Sequence, residues 1–475
     1  MFYKSFFEFS IDDSFFIETL NLSTKISFDG KTELQFKEIN FFPNLLETLN
    51  SIVNFEESTD LANSLSELDN FCYLDDFRPD PNQLLYQTPI FHSICQIIYT
   101  TNDKNILFLC LHILVHLSIA DFHPENQILD SELIQKIVYF IEPDLSEINP
   151  NSDNQIHEFI NQAILDFLLN ISLSQSLETN FFDKIIIIKL SQICASKNSS
   201  KVQIISYQIA SNLARLFYEN DFIEELALFE CIIQSAIASL KPGSSQQYAI
   251  ELLSYLLFNK NCCEFALNFD IIDKLKDSLK SRLPISSIPN VFTAINSLIE
   301  NCDLIKQFVD DFLIEKTMNM ISQIDYNENQ PLFIYIDSLC DNYTNFLENH
   351  GTIKFLCDLV SDSPLLVKKK SVFVLAHLID RNWMIQPMPK WIDKAIILVI
   401  ENIHSLSIKK VEVVLLVLIE IHDFNEPYFF NIISKTDFKT CLDDINEMEV
   451  NSDTVSKYTD YLYNIIFVKD QYIDQ

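Results

Sequence analysis

Glycine is nearly missing from this sequence: Gly30, Gly243 and Gly351 are the only three in 475 residues, and they are far apart. A phosphate-cradling loop needs several glycines close together, so that backbone can approach the anion without a Cβ. A Gly-rich nucleotide loop is therefore excluded. All-β and doubly wound folds also rely on Gly in their turns, whereas long helices joined by polar turns do not. Basic residues are scarce as well, 33 against 67 acidic ones, for a net charge of −34. That balance opposes phosphate backbones and anionic lipid, so neither nucleic acid nor membrane is expected as a partner. The 11 cysteines contain no C-x-x-C spacing and one adjacent pair, Cys262–Cys263. They read as buried thiols in a reducing compartment. Long hydrophobic runs are absent too. The longest, Ile106–Ala120, includes His112 and His116 and is too short to span a bilayer. The N-terminal stretch carries acids within its apolar residues and lacks a signal-peptide layout. The expectation is a soluble, cytoplasmic and/or nuclear protein.

What is present in quantity is apolar surface, 48% of residues, arranged with a period. Nine segments each carry a Leu or Ile followed three residues later by another: Leu114/Leu117, Leu168/Ile171, Leu213/Leu216, Leu253/Leu256, Ile295/Leu298, Ile336/Leu339, Leu375/Leu378, Leu415/Leu418 and Leu462/Ile465. Successive second members are 54, 45, 40, 42, 41, 39, 40 and 47 residues apart. A recurrence of roughly 40 residues built from two or three helices is the armadillo/HEAT period, longer than ankyrin or tetratricopeptide units. Between the anchors lie further amphipathic stretches: Leu133–Ile141, Phe182–Cys194, Phe229–Leu240, Ile271–Leu279, Ile314–Ile321, Ile353–Val360 and Trp391–Ile400. Prolines 242, 284, 289, 331, 364, 387 and 389 read as punctuation between helices. The fold class expected is all-α, a solenoid of about eight or nine repeats over residues 81–475. Residues 1–80 are dense in Phe. There, Asp29–Gly30, flanked by Ile26, Phe28, Leu34 and Phe36, suggests a β-hairpin in a region that caps the solenoid.

The segment Asn349–Asp380 resembles an armadillo repeat, with Gly351, Ile353, Leu356, Leu359, Pro364, Val367, Val372, Leu375 and Leu378 in that family's places. Elsewhere Ser131 or Asp270 stands where the family has Gly. The resemblance implies a right-handed superhelix that binds partners along its inner helices. Residues 61–117 are similar in layout to the first repeat of the importin-α adaptors, which implies nuclear transport as the alternative function. The cargo ladder of that family maps here onto two rungs. The Asn rung reads His116, Asn170, Arg215, Tyr255, Ser297, Ser338, His377, Val417 and Asn464. The Trp rung reads His112, Asp166, Ser211, Glu251, Thr293, Ile334, Phe373, Val413 and Asp460, with no Trp. Candidate partner-binding residues are therefore His112, His116, Asp166, Asn170, Ser211, Arg215, Glu251, Tyr255, Phe373 and His377. The expected function is a protein–protein interaction scaffold or adaptor, not an enzyme.

No catalytic residue and no cofactor is expected, because no nucleophile–base arrangement has a recognisable local signature. His112 and His116 have the i, i+4 spacing that can bridge Zn²⁺. However, Ile113 stands where an H-E-x-x-H motif would supply its Glu, and no third ligand is identifiable nearby in sequence. They read as packing residues, with no metal. Lys368–Lys370 sit at a helix entry and read as structural rather than as a nuclear localisation signal.

Overall fold

The structure is a computed structural model. It describes residues 22–26, 32–36, 51–52, 59–73, 90–118, 131–141, 153–173, 184–195, 200–385, 387–447 and 452–473. Helices dominate, and strand among the described residues is confined to β1 (Leu22–Ile26) and β2 (Thr32–Phe36), paired antiparallel. The expected hairpin is therefore present. Its register runs from Leu22 paired with Phe36 to Ile26 paired with Thr32. The Asp29–Gly30 turn itself lies outside the described residues. The chain divides into two units, Met1–Ser235 and Ala236–Gln475.

In the first unit, α1 (Thr59–Tyr73) packs on α3 (Lys104–Leu117), α3 on α5 (Asp153–Ser172), and α5 on α7 (Ser200–Glu219). Helices α2 (Ile90–Thr100), α4 (Ser131–Tyr139) and α6 (Lys184–Ala195) form a second row, with α2 against α3 and α6 against α7. Helix α8 (Glu230–Ala238) follows.

In the second unit the same grammar gains a short helix. A row runs α9 (Gln246–Leu256), α12 (Ile288–Cys302), α15 (Gln330–Leu339), α18 (Leu365–Asn382), α20 (Ile408–Phe424) and α23 (Asp453–Ile473), and each helix packs on the next in this order. Before most row helices come a short helix and a second one. The triplets begin α10 (Lys260–Ala266) with α11 (Ile271–Lys280), α13 (Ile305–Phe308) with α14 (Asp311–Ile321), and α16 (Thr344–Asn349) with α17 (Thr352–Asp362). Then come α19 (Ile392–Glu401), α21 (Glu426–Ile433) and α22 (Phe438–Glu447).

Every anchor pair falls on a row helix. All nine first members are buried, from Leu114 at 1% exposure to Leu462 at 0%, and Ile171, Leu256, Leu298, Leu339, Leu378 and Leu418 are buried beside them. Leu216 and Ile465 are half-buried. Polar staples run between neighbouring row helices. Asn170 Nδ2 donates to Val115 O (3.3 Å) and Ser118 Oγ (3.0 Å), and Asn212 Nδ2 to Ser172 Oγ (3.0 Å). Asn301 Nδ2 donates to Leu257 O (3.0 Å), and Asn296 Nδ2 to Pro331 O (2.8 Å). Lys370 Nζ donates to Tyr326 O and Asn329 Oδ1, both at 2.7 Å, which gives this lysine the structural role read from the sequence.

Turns manage without glycine because aspartate takes left-handed backbone. Asp221, Asp270 and Asp303 have φ of 61°, 57° and 52°, against 72° at Gly351. A short polar side chain tolerates this region better than other L-residues do. Asp270 precedes α11 as Gly351 precedes α17, the substitution anticipated above. Two prolines differ from the punctuation reading. Pro289 and Pro331 lie inside the first turns of α12 and α15, where the missing N–H would have no helical acceptor anyway.

Leu298 and Leu339 are both fully buried. Replacing either by Ala is expected to cost about 2–5 kcal/mol in urea unfolding. Glu300→Ala, on an exposed position of α12, should stay within about 0.5 kcal/mol. Equal effects at buried and exposed positions would refute the register.

Candidate functional site

The four-residue step between rungs places each pair on one face of its row helix. In the first unit that face carries His112 and His116 on α3, Asp166 and Asn170 on α5, and Ser211 and Arg215 on α7. His112 Nδ1 lies 2.6 Å from Asp69 Oδ1 on α1. The His112 and His116 rings meet edge to face with centroids 4.7 Å apart, and Phe108 stacks on His112 at 5.5 Å. Asp166 accepts a hydrogen bond from Gln162 Nε2 at 2.8 Å, and its charge reaches His112. Asn170 is committed to the staple with Val115 and Ser118. Ser211 is only 2% exposed, so it belongs to the packing beneath the face rather than to the surface. Arg215 reaches no closer than 4.0 Å to Glu219 and remains 40% exposed at its side chain.

In the second unit Glu251 and Tyr255 on α9 are half-buried, as is Thr293 on α12, whereas Ser297 beside it is buried. Ile334 on α15 and Phe373 on α18 occupy equivalent positions on helices that pack together, and both are exposed, at 45% and 37%. Lys410 Nζ sits 4.5 Å from the Phe373 ring centroid, a cation–π distance. Val413 is half-buried, but Val417, although on the Asn rung, is buried at 3% and is not part of the exposed face. One turn from Phe373, His377 bridges two acids, with Nδ1 at 2.9 Å from Asp337 and Nε2 at 3.2 Å from Asp341. Arg381 Nε contacts Asp341 at 2.7 Å. The hydrogen bond that His377 Nδ1 donates to Asp337 holds the imidazole pKa above its ordinary value. Burial opposes this, Asp341 reinforces it and the Lys410 charge opposes it.

Two groups of three bring donor atoms within 4.8 Å of one another among the described residues: Asp69 with His112 and His116, and Asp337 with Cys340 and His377. The second is a poor ligand set. Burial holds the Cys340 thiol protonated, and both ring nitrogens of His377 already face carboxylates. In the first, the third donor comes from Asp69 on another helix, 43 residues before His112. Spacing along α3 could not reveal it. Asp337, Asp341, Arg381 and Lys410 were likewise missed. Only the step of 40 residues from Asp337 to His377, one repeat, hinted at that pairing.

No helix among the described residues is long and apolar enough to cross a membrane. No protein-family model and no curated protein matches the sequence. Two engineered proteins, with crystal structures from the Northeast Structural Genomics Consortium, are similar in structure. One has a TM-score of 0.63 at 12% identity, covering 89% of this chain and 98% of its own. The other has a TM-score of 0.42 at 12% identity, covering 52% of this chain and 96% of its own. The first likeness concerns the fold alone. The chain is thus a helical-repeat protein.

Because His377 has a raised pKa, its ion pairs stabilise the fold fully below the unfolded value of about 6.5 and lose that contribution as pH rises through the folded value. His377→Asn should flatten the fall in urea-unfolding stability above pH 6.5. An unchanged pH profile would mean that the Asp337–His377–Asp341 bridge contributes nothing.

Proposed function

We propose that this chain is a non-catalytic interaction scaffold built from about eight or nine armadillo-type repeats, and that it works in the cytoplasm or nucleus. The order of short helix, second helix and row helix in the second unit supports the armadillo over the two-helix HEAT variant. The observation that carries the functional reading is the pair Ile334 and Phe373. Large apolar side chains at equivalent positions on packed helices are left exposed, while the anchors beneath them are fully buried. Exposed apolar clusters rimmed by polar groups mark interaction sites. The rim here is the cluster of His377, Asp337, Asp341 and Arg381 with Lys410.

The partner class is an extended or helical peptide with an apolar anchor for the Ile334–Phe373 strip and polar groups for its rim. The transport-adaptor alternative has no comparable support. Two rung residues match importin-α, Asn170 and Asn464; Asn170 spends its amide on an internal staple, and Asn464 is exposed on α23, far along the chain from it.

A peptide library displayed against the intact chain should yield ligands with an apolar anchor. The double change Ile334→Asp with Phe373→Asp should weaken them at least roughly tenfold, while the helical circular dichroism signal and melting temperature hold. Unchanged affinity in the folded variant, or a library that yields no ligand, rejects the reading.

A further inference from the structure

The geometry points to a divalent metal site of the Zn²⁺ type, formed by Asp69 of α1 with His112 and His116 of α3. Two imidazoles and a carboxylate are a common donor set for this ion, with remaining positions for water or an incoming ligand. One donor atom from each residue lies within 4.8 Å of the others. Donors around a tetrahedral Zn²⁺ at about 2.0–2.1 Å stand roughly 3.3 Å apart. The 2.6 Å contact between His112 and Asp69 is shorter than this, and the widest separation is longer by about 1.5 Å or less. Closing the set requires side-chain rotations of three half-buried groups, with no change in the helix backbones.

The surroundings favour a cation. Asp166 on α5 is held by Gln162 and is near enough for its charge to act on His112. Phe108, which itself contacts Phe159, stacks on the His112 ring and limits its orientations. The pair of histidines on one face separates this group from the many exposed acidic clusters of a chain with charge −34. Bound metal would tie α1 to α3, the two helices that begin the described row of the first unit. The site stands on these three residues and not on the peptide-binding reading, so either can fail without the other.

The test is a titration of the intact, chelator-treated chain with Zn²⁺ by calorimetry and with Co²⁺ by visible absorption. One equivalent is expected, with the Co²⁺ bands of a low-coordinate nitrogen–oxygen site. His116→Ala should weaken binding at least tenfold, and Asp69→Asn by about tenfold or more. His377→Asn, at the other histidine cluster, should leave binding unchanged. His116→Gln provides a second reading should the alanine variant fold poorly by circular dichroism. No saturable binding by the wild-type chain overturns the proposal. So does equal affinity in wild type and a folded His116 variant, which would mark diffuse binding to the acidic surface.

Discussion

A helix with apolar residues on two sides cannot be satisfied by one neighbour, and the row helices depend on this constraint. Leu375 and Leu378 of α18 are fully buried, as are Val372 and Ala376, so that α18 needs α15, α17, α19 and α20 around it. Fully burying one such Leu contributes about 1.5–3 kcal/mol, and each row helix carries several. Order in one repeat is therefore borrowed from the next. The rest follows from it. Second helices must cover one side, neighbouring row helices the two flanks, and only a narrow face remains for polar or functional residues.

The polar staples extend the same logic. Asn170, Asn212, Asn296 and Asn301 are half-buried, and each places its amide N–H where a neighbouring helix offers an acceptor. They fix the registry of stacked helices, which apolar contact alone specifies poorly. The cysteines show the complementary choice. Burial pushes Cys263 up to about 12 and Cys110, Cys194 and Cys340 up as well, so these thiols act as small apolar fillers rather than as nucleophiles.

The row helices and second helices were legible because their signal is local. A three-residue anchor spacing and a 3.6-residue stripe survive in a single sequence, and Ile271–Leu279 was read almost to the observed bounds of α11. The short helices α10, α13 and α16, of 7, 4 and 6 residues, were missed, since one or two turns display no periodicity. Surface against interior was only half legible. Ser211 and Val417 fall on the rung spacing yet are buried, because the width of the exposed face depends on how closely the next helix approaches. Contacts between helices, such as Asp69 with His112, carry no local trace.

Two histidines on different rungs of row helices show how one grammar supports different chemistry. His377 has an acid at each ring nitrogen, one of them paired further with Arg381, and its only imidazole neighbourhood is its own. The two acids favour its protonated form, and the contact with Asp337 ties α18 to α15. His112 faces one acid at hydrogen-bond distance and has a second imidazole one turn away. The hydrogen bond to Asp69 raises the His112 pKa, and the second imidazole adds a further nitrogen donor to the group. A neutral imidazole is a ligand, whereas a doubly bonded imidazolium is a clamp. The substitution that separates them is the residue one turn along the helix: His116 on α3, and Arg381 or Phe373 on α18.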